Sequence, residues 1–203
     1  ASSICQTVNT VKNDNGVLKG ITTDGTGWVE CARALGHNPT GKNIVQLGAG
    51  GAGTSILVQT ALDGARHIAV FNAHDTFWPK VEEIVAKLNE KTACRVELYD
   101  IKALSTLRQQ LATADILLNT TPVGMTKIPG CLIPDATYLH KDLVVSDIIY
   151  EPKETALLKM AKETGCQTFN GTFMLLYQGA ASFKFWTGQD MPIEEIKAKY
   201  FNK

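Results

Sequence analysis

The chain has 203 residues, 44% of them apolar and 20% charged, and its 20 basic and 20 acidic side chains cancel to a formal net charge of zero. That is the make-up of a globular protein able to bury a sizeable core, and its neutrality removes the electrostatic pull expected of a nucleic-acid or acidic-membrane binder. No apolar run approaches the roughly 18–20 residues needed to span a bilayer, no secretory signal opens the sequence, and five scattered cysteines without a C-x-x-C fit reduced cytoplasmic thiols.

Residues 5–11 alternate loosely and are rich in β-branched side chains. Asn13-Asp14-Asn15-Gly16 is a turn signal, and residues 17–21 read as the returning strand of a hairpin. Asp24-Gly25-Thr26-Gly27 precedes a helical pattern over 28–35, which Gly36-His37-Asn38-Pro39 stops. From Lys42 on, strands are predicted at 44–47, 67–71, 95–99, 115–119, 143–149 and 167–169. Helices are predicted at 52–62, 77–88, 103–112 and 155–163, with Asp75 or Thr76 capping the second of these. After Gly171 a long apolar helix over 173–186 and a short amphipathic one over 193–201 close the chain.

Repeated β-α-β units imply an α/β fold: a Rossmann-like, doubly wound parallel sheet with helices on both faces. Such sheets bind ligands at the carboxyl ends of their strands. The stretch Gly48-Ala49-Gly50-Gly51-Ala52-Gly53 stands there, between a strand and a helix. Its glycines allow a sharp turn and a close backbone approach, and the free N–H groups of the helix start suit a dinucleotide pyrophosphate. After the next strand come Asn72-Ala73-His74-Asp75. Asp75 stands where an acidic residue holds the ribose hydroxyls of NAD, and no arginine lies between Phe71 and Glu82 to favour the extra phosphate of NADP. The reading is therefore NAD over NADP. Helix capping explains Asp75 equally well. Asn119-Thr120-Thr121-Pro122-Val123-Gly124-Met125 and Asp147-Ile148-Ile149-Tyr150-Glu151-Pro152 follow two further strands. The four histidines have no metal-ligand spacing, so no metal site is expected.

Taken together, Val8-Asn9-Thr10-Val11, Thr23-Asp24-Gly25-Thr26-Gly27, the Gly48–Ala52 stretch, Asn119 to Met125, Tyr150-Glu151-Pro152 with Thr155, and Gly171 with Met174-Leu175 and Gln178-Gly179-Ala180 resemble the shikimate dehydrogenase family (shikimate/quinate dehydrogenases) in order and spacing. The resemblance implies NAD(P)-dependent interconversion of shikimate or quinate and the 3-dehydro compound, in which a hydride and a proton leave one carbinol. It implies Asp24 as the catalytic aspartate that works with a lysine, and Asn9, Asp24, Tyr150 and Gln178 as substrate-binding. It implies a cofactor site of Gly48, Ala49, Gly50, Gly51, Ala52, Asn72, Asp75, Thr120, Thr121, Pro122, Val123, Ile148 and Gly171. Thr22 departs from the family's asparagine before the T-D-G motif, and Ala73 stands where NADP-using members usually carry arginine.

The family's lysine and paired serines precede the V-N-T motif, and this chain opens on Ala1 just before it. The expectation is a piece of a longer protein: residues 1–23 the remnant of a second α/β substrate domain, 24–171 the cofactor domain, and 172–203 helices packing back toward the substrate domain. Such a piece should bind dinucleotide and turn over poorly or not at all, since no lysine here matches the family's catalytic one. The helix over 173–186 should leave Leu175, Leu176 and Phe183 partly uncovered, which favours dimers or aggregates. The alternative from another class is a non-catalytic dinucleotide-binding module. A methylene-tetrahydrofolate dehydrogenase is a further rival, which the M-L-x-x-Q-G-A element of Met174 to Ala180 disfavours.

Overall fold

In the computed structural model, which describes residues 1–201, six strands form one parallel sheet: β3 (Asn43–Leu47), β4 (His67–Asn72), β5 (Arg95–Asp100), β6 (Ile116–Asn119), β7 (Val144–Asp147) and β8 (Gln167–Phe169). Their spatial order is β5-β4-β3-β6-β7-β8. The chain winds outward from β3 to one edge, returns, and winds from β6 to the other. The reversal leaves a crevice between the carboxyl ends of β3 and β6, the place where open α/β sheets bind ligands.

The strands read as near-continuous apolar runs because both faces are covered. Alternate residues serve the two sides. Ile44, Ile68, Val70, Val96, Ile116 and Leu118 pack under α2 (Asp24–Ala34), α3 (Gly51–Leu62), α4 (Trp78–Lys91) and α7 (Thr172–Thr187). Val45, Leu47, Ala69, Phe71, Leu117 and Val145 pack against α5 (Leu104–Leu111) and α6 (Ala156–Thr164). The expected doubly wound α/β architecture is thus present.

The hairpin β1 (Thr10–Asp14) and β2 (Val17–Ile21) forms a separate antiparallel pair. Asp14 pairs Val17, which leaves Asn15 and Gly16 as the two-residue turn, with φ of 52° and 90°. Two successive positive φ values give a turn whose twist matches the strands. The predicted strand over 5–11 is corrected. Residues Ser2–Cys5 are a helical turn, α1, which buries Ile4 and Cys5 in the core on the α3 side. Gln6, at φ 54°, ends that turn, and the strand begins only at Thr10.

Two further expectations change. Phe77, not Asp75 or Thr76, is the residue before α4; the Asp75 carboxylate accepts instead from the Phe77 N–H at 2.9 Å in a local turn. Leu176 is buried, so of the three residues expected to be uncovered on α7 only Leu175 is exposed, with Phe183 half-buried; Trp186 on the same helix is exposed as well. The amphipathic end over 193–201 is a short α8 (Ile193–Ile196) continuing as a π-turn, Lys197–Phe201, with Phe201 against Phe173.

Candidate dinucleotide and substrate site

The turn after β3 is shaped by what cannot fit there. Gly48 has φ of 91°, and a Cβ on it would meet Thr121 Cγ2 at 2.6 Å. A Cβ on Gly53 would meet Thr120 Oγ1 at 2.6 Å. Thr120 is buried, and its hydroxyl donates to the carbonyls of Leu47 and Gly48 at 2.9 and 2.8 Å. The threonine is therefore a brace under the turn rather than a free ligand group. Asn72 is a second brace, its Oδ1 accepting from the Ala49 N–H at 2.9 Å. Gly50 and Gly51 differ: a Cβ on either meets nothing within 4 Å. Their side faces open space where α3 begins, and no side chain caps that helix start. Uncapped amides at the positive end of a helix dipole, with room for a ligand to touch the backbone, fit a pyrophosphate.

That open face borders a cavity of about 730 Å³ at the carboxyl ends of β3, β6 and β7. Of the residues expected at the cofactor, Gly50, Gly51, Thr120, Thr121, Pro122 and Ile148 line it, and Tyr150, expected at the substrate, stands at its rim. Gly48, Ala49 and Asn72 shape the turn from behind it. Ala52 follows Gly51 in the first turn of α3, and Asp75 is exposed beyond β4. Val123 and Gly171 support the walls. The Val123 carbonyl accepts from Asn119 Nδ2, and a Cβ on Gly171 would lie 1.9 Å from the Ile148 carbonyl oxygen. Met125, Thr126, Lys127, Ile149 and Glu151 also line the cavity and were not singled out beforehand as site residues.

The remaining expected residues gather elsewhere. Asp24 is the first residue of α2, but its carboxylate does not cap that helix. It accepts from Asn9 Nδ2 at 2.9 Å. Asn9 is held in that orientation because its Oδ1 accepts from the Thr23 N–H, the Thr23 hydroxyl and the Thr10 hydroxyl, at 3.0, 3.2 and 3.0 Å. Burial pushes the Asp24 carboxyl above its ordinary value, and the Asn9 amide pulls it back. Gln178 enters through a helix crossing without a side chain between: a Cβ on Gly27 would meet Gln178 Cβ at 2.7 Å. Asp24 and Gly27 are three residues apart on one helix face, so Gln178 lies about one turn from Asp24. Sequence reading missed Ser182. It is buried on α7, and its hydroxyl lies within hydrogen-bond distance of the Thr10 and Thr23 hydroxyls, at 2.8 and 3.2 Å, and of the Gln178 carbonyl, at 3.0 Å. A lone serine within a helix carries no signal that could have revealed it. Thr22, the departure noted before the T-D-G motif, is absorbed by Ser55 Oγ of α3 at 2.8 Å.

Comparison with known proteins decides the family. Across 202 residues the chain is 45% identical to a shikimate dehydrogenase (NADP(+)) of Listeria monocytogenes serotype 4b, covering 99% of this chain and 69% of that protein. The chain belongs to the shikimate/quinate dehydrogenase family. A quinate/shikimate dehydrogenase of Escherichia coli is 41% identical over 97% of this chain and 69% of its own length. The crystal structure of shikimate 5-dehydrogenase from Listeria monocytogenes in complex with shikimate and NAD superposes with a TM-score of 0.93 at 44% identity, over 97% of this chain and 68% of that one. A family model described as the Shikimate 5'-dehydrogenase C-terminal domain matches residues 171–199, from the Gly171 contact through α7 to the terminal turn. The family is one of NAD(P)-dependent oxidoreductases, and among the described residues no helix is long and apolar enough to cross a membrane.

Proposed function

We propose that this chain supplies the dinucleotide site and one side of the polyol-acid site of a dehydrogenase that interconverts shikimate or quinate with the 3-dehydro compound. The observation that carries the reading is the uncapped start of α3 at the sheet's reversal, opening on a cavity that Tyr150 borders. A bound nicotinamide dinucleotide supplies the hydride acceptor or donor. The α3 amides orient its pyrophosphate. Asp24 holds or releases a proton at its carboxylate, with Asn9 fixing the direction in which that carboxylate faces. Gln178 and Tyr150 are assigned to the substrate's hydroxyls and carboxylate. Residues 1–23 belong in this reading with a substrate domain, 24–171 with the cofactor domain, and 172–203 with helices serving both.

Among the described residues Asp24 has one side-chain hydrogen-bond partner, Asn9, and no lysine. The polypeptide on its own is therefore expected to hold dinucleotide and to turn over slowly. Mixing it with shikimate and NAD while following the absorbance of reduced nicotinamide checks this; turnover at an intact dehydrogenase's rate would refute it. NAD is the expected cofactor because Ala73 offers no cation to a 2′-phosphate and Asp75 presents an exposed carboxylate. Separate calorimetric titrations with NAD and NADP measure the preference, and tighter NADP binding would reverse it. Exposed Val11, Val17, Leu18 and Leu175 lead us to expect self-association, which light scattering at high concentration measures.

A further inference from the structure

Two loops wall the cavity, and a single buried carboxylate lies between them. The loop after β6 carries Thr121 and Pro122; the loop after β7 carries Ile148, Ile149 and Tyr150. Asp147, the last residue of β7, is wholly buried. Its Oδ1 accepts from Asn119 Nδ2 at 3.1 Å and from the Ile149 N–H at 3.0 Å. Its Oδ2 accepts from the Thr155 hydroxyl at 2.8 Å. The three donors come from different segments, of which only Ile149 itself lines the cavity. Asn119 ends β6 and, through its own Oδ1, accepts from the Thr121 N–H and hydroxyl at 3.1 and 2.7 Å. Ile149 lines the cavity, and Thr155 accepts from the Leu158 N–H to start α6.

Among the described residues no cation acts on Asp147; burial pushes its carboxyl up and the three donors pull it down. A buried carboxylate without a cation is a costly way to gain stability. What three fixed donors do supply is geometry. We propose that Asp147 is a positioning residue for dinucleotide binding, tying the β6 loop to the β7 loop and setting the width of the cleft between Thr121 and Ile149. The inference rests on the dinucleotide reading of that cleft.

Calorimetric titration of NAD into the full 203-residue chain tests it. Asp147→Ala and Asn119→Ala are each expected to weaken NAD about tenfold, the worth of one hydrogen bond to a charged group. Asp147→Asn keeps an acceptor oxygen for Asn119 and Ile149, so its affinity should stay within about threefold of the parent. The Asp147→Ala/Asn119→Ala pair should be no weaker than the weaker single variant, because both changes cut the same tie. If Asp147→Ala does not fold, Asn119→Ala decides alone. Parental affinity in the folded alanine variants, or full additivity in the pair, overturns the proposal while leaving the functional reading intact. A parent chain that binds no NAD overturns both.

Discussion

The two halves of the site are built from different material. At the carboxyl edge of the sheet the cleft is made mostly of backbone: a glycine turn, an uncapped helix start, and a carbonyl at Ile148 that Gly171 lets α7 approach. At the other half, Asn9, Thr10, Thr23, Asp24 and Ser182 are joined side chain to side chain. Backbone sites are fixed by where a Cβ cannot go, so they tolerate changes in polarity and fail on changes in volume. Side-chain sites behave the other way, since each lost donor leaves a buried partner unpaired.

The largest effect expected from this contrast is at Gly171. Gly171→Ala places a methyl 1.9 Å from the Ile148 carbonyl oxygen, and both partners are backbone. The cost should be about 3 kcal/mol, a fall in Tm of about 6–12 °C for a chain of this size, read by circular dichroism. A melt unchanged within error would show that α7 can lift off β7 freely. Gly51→Ala is the sharper probe because its two readouts should move in opposite directions. The added methyl meets nothing and sits in the first turn of a helix, so stability should rise by about 0.5 kcal/mol. The same methyl stands in the space assigned to the pyrophosphate, and NAD affinity should fall about tenfold. Undiminished affinity would move the dinucleotide off this helix.

What could be read from the sequence follows the same division. The glycine turn, the six strands and their reversal announce themselves through local composition, because Gly48 needs a positive φ and alternate strand residues need two apolar faces. Asn15-Gly16 is legible for the same reason. The side-chain half is not local. Ser182 meets Thr10 across 172 positions, and Trp28 Nε1 crosses the core from α2 to Ser146 Oγ on β7 at 3.0 Å. Asp147 looks like any polar residue at a strand end until Asn119 and Thr155 are seen to converge on it. Asn9, Asp24 and Gln178 were found only through family likeness. The strand expected over 5–11 was misread at its start because Cys5 closes a helical turn whose apolar residues are spent on the α3 side of the core, not on the hairpin.

The smallest expected effect concerns Asp24, and its sign separates a functional carboxylate from a structural one. Burial raises the folded carboxyl above 3.8, its ordinary value in the unfolded chain. Near neutral pH both states are ionised, and the folded state bears the desolvation cost. As pH falls through the raised folded value, the folded state takes up a proton first, so this group's penalty shrinks; below 3.8 both states are neutral and it vanishes. Asp24→Asn keeps an oxygen for Asn9 Nδ2 and removes the charge. It should therefore raise Tm slightly near neutral pH, with the gain fading as acid is added. Asp147, shifted in the same direction by the same cause, is present in both proteins and cancels from the difference. A loss of stability at neutral pH would mean that the Asn9–Asp24 bond is worth more to the fold than the buried charge costs, and that this corner is held together for structure first.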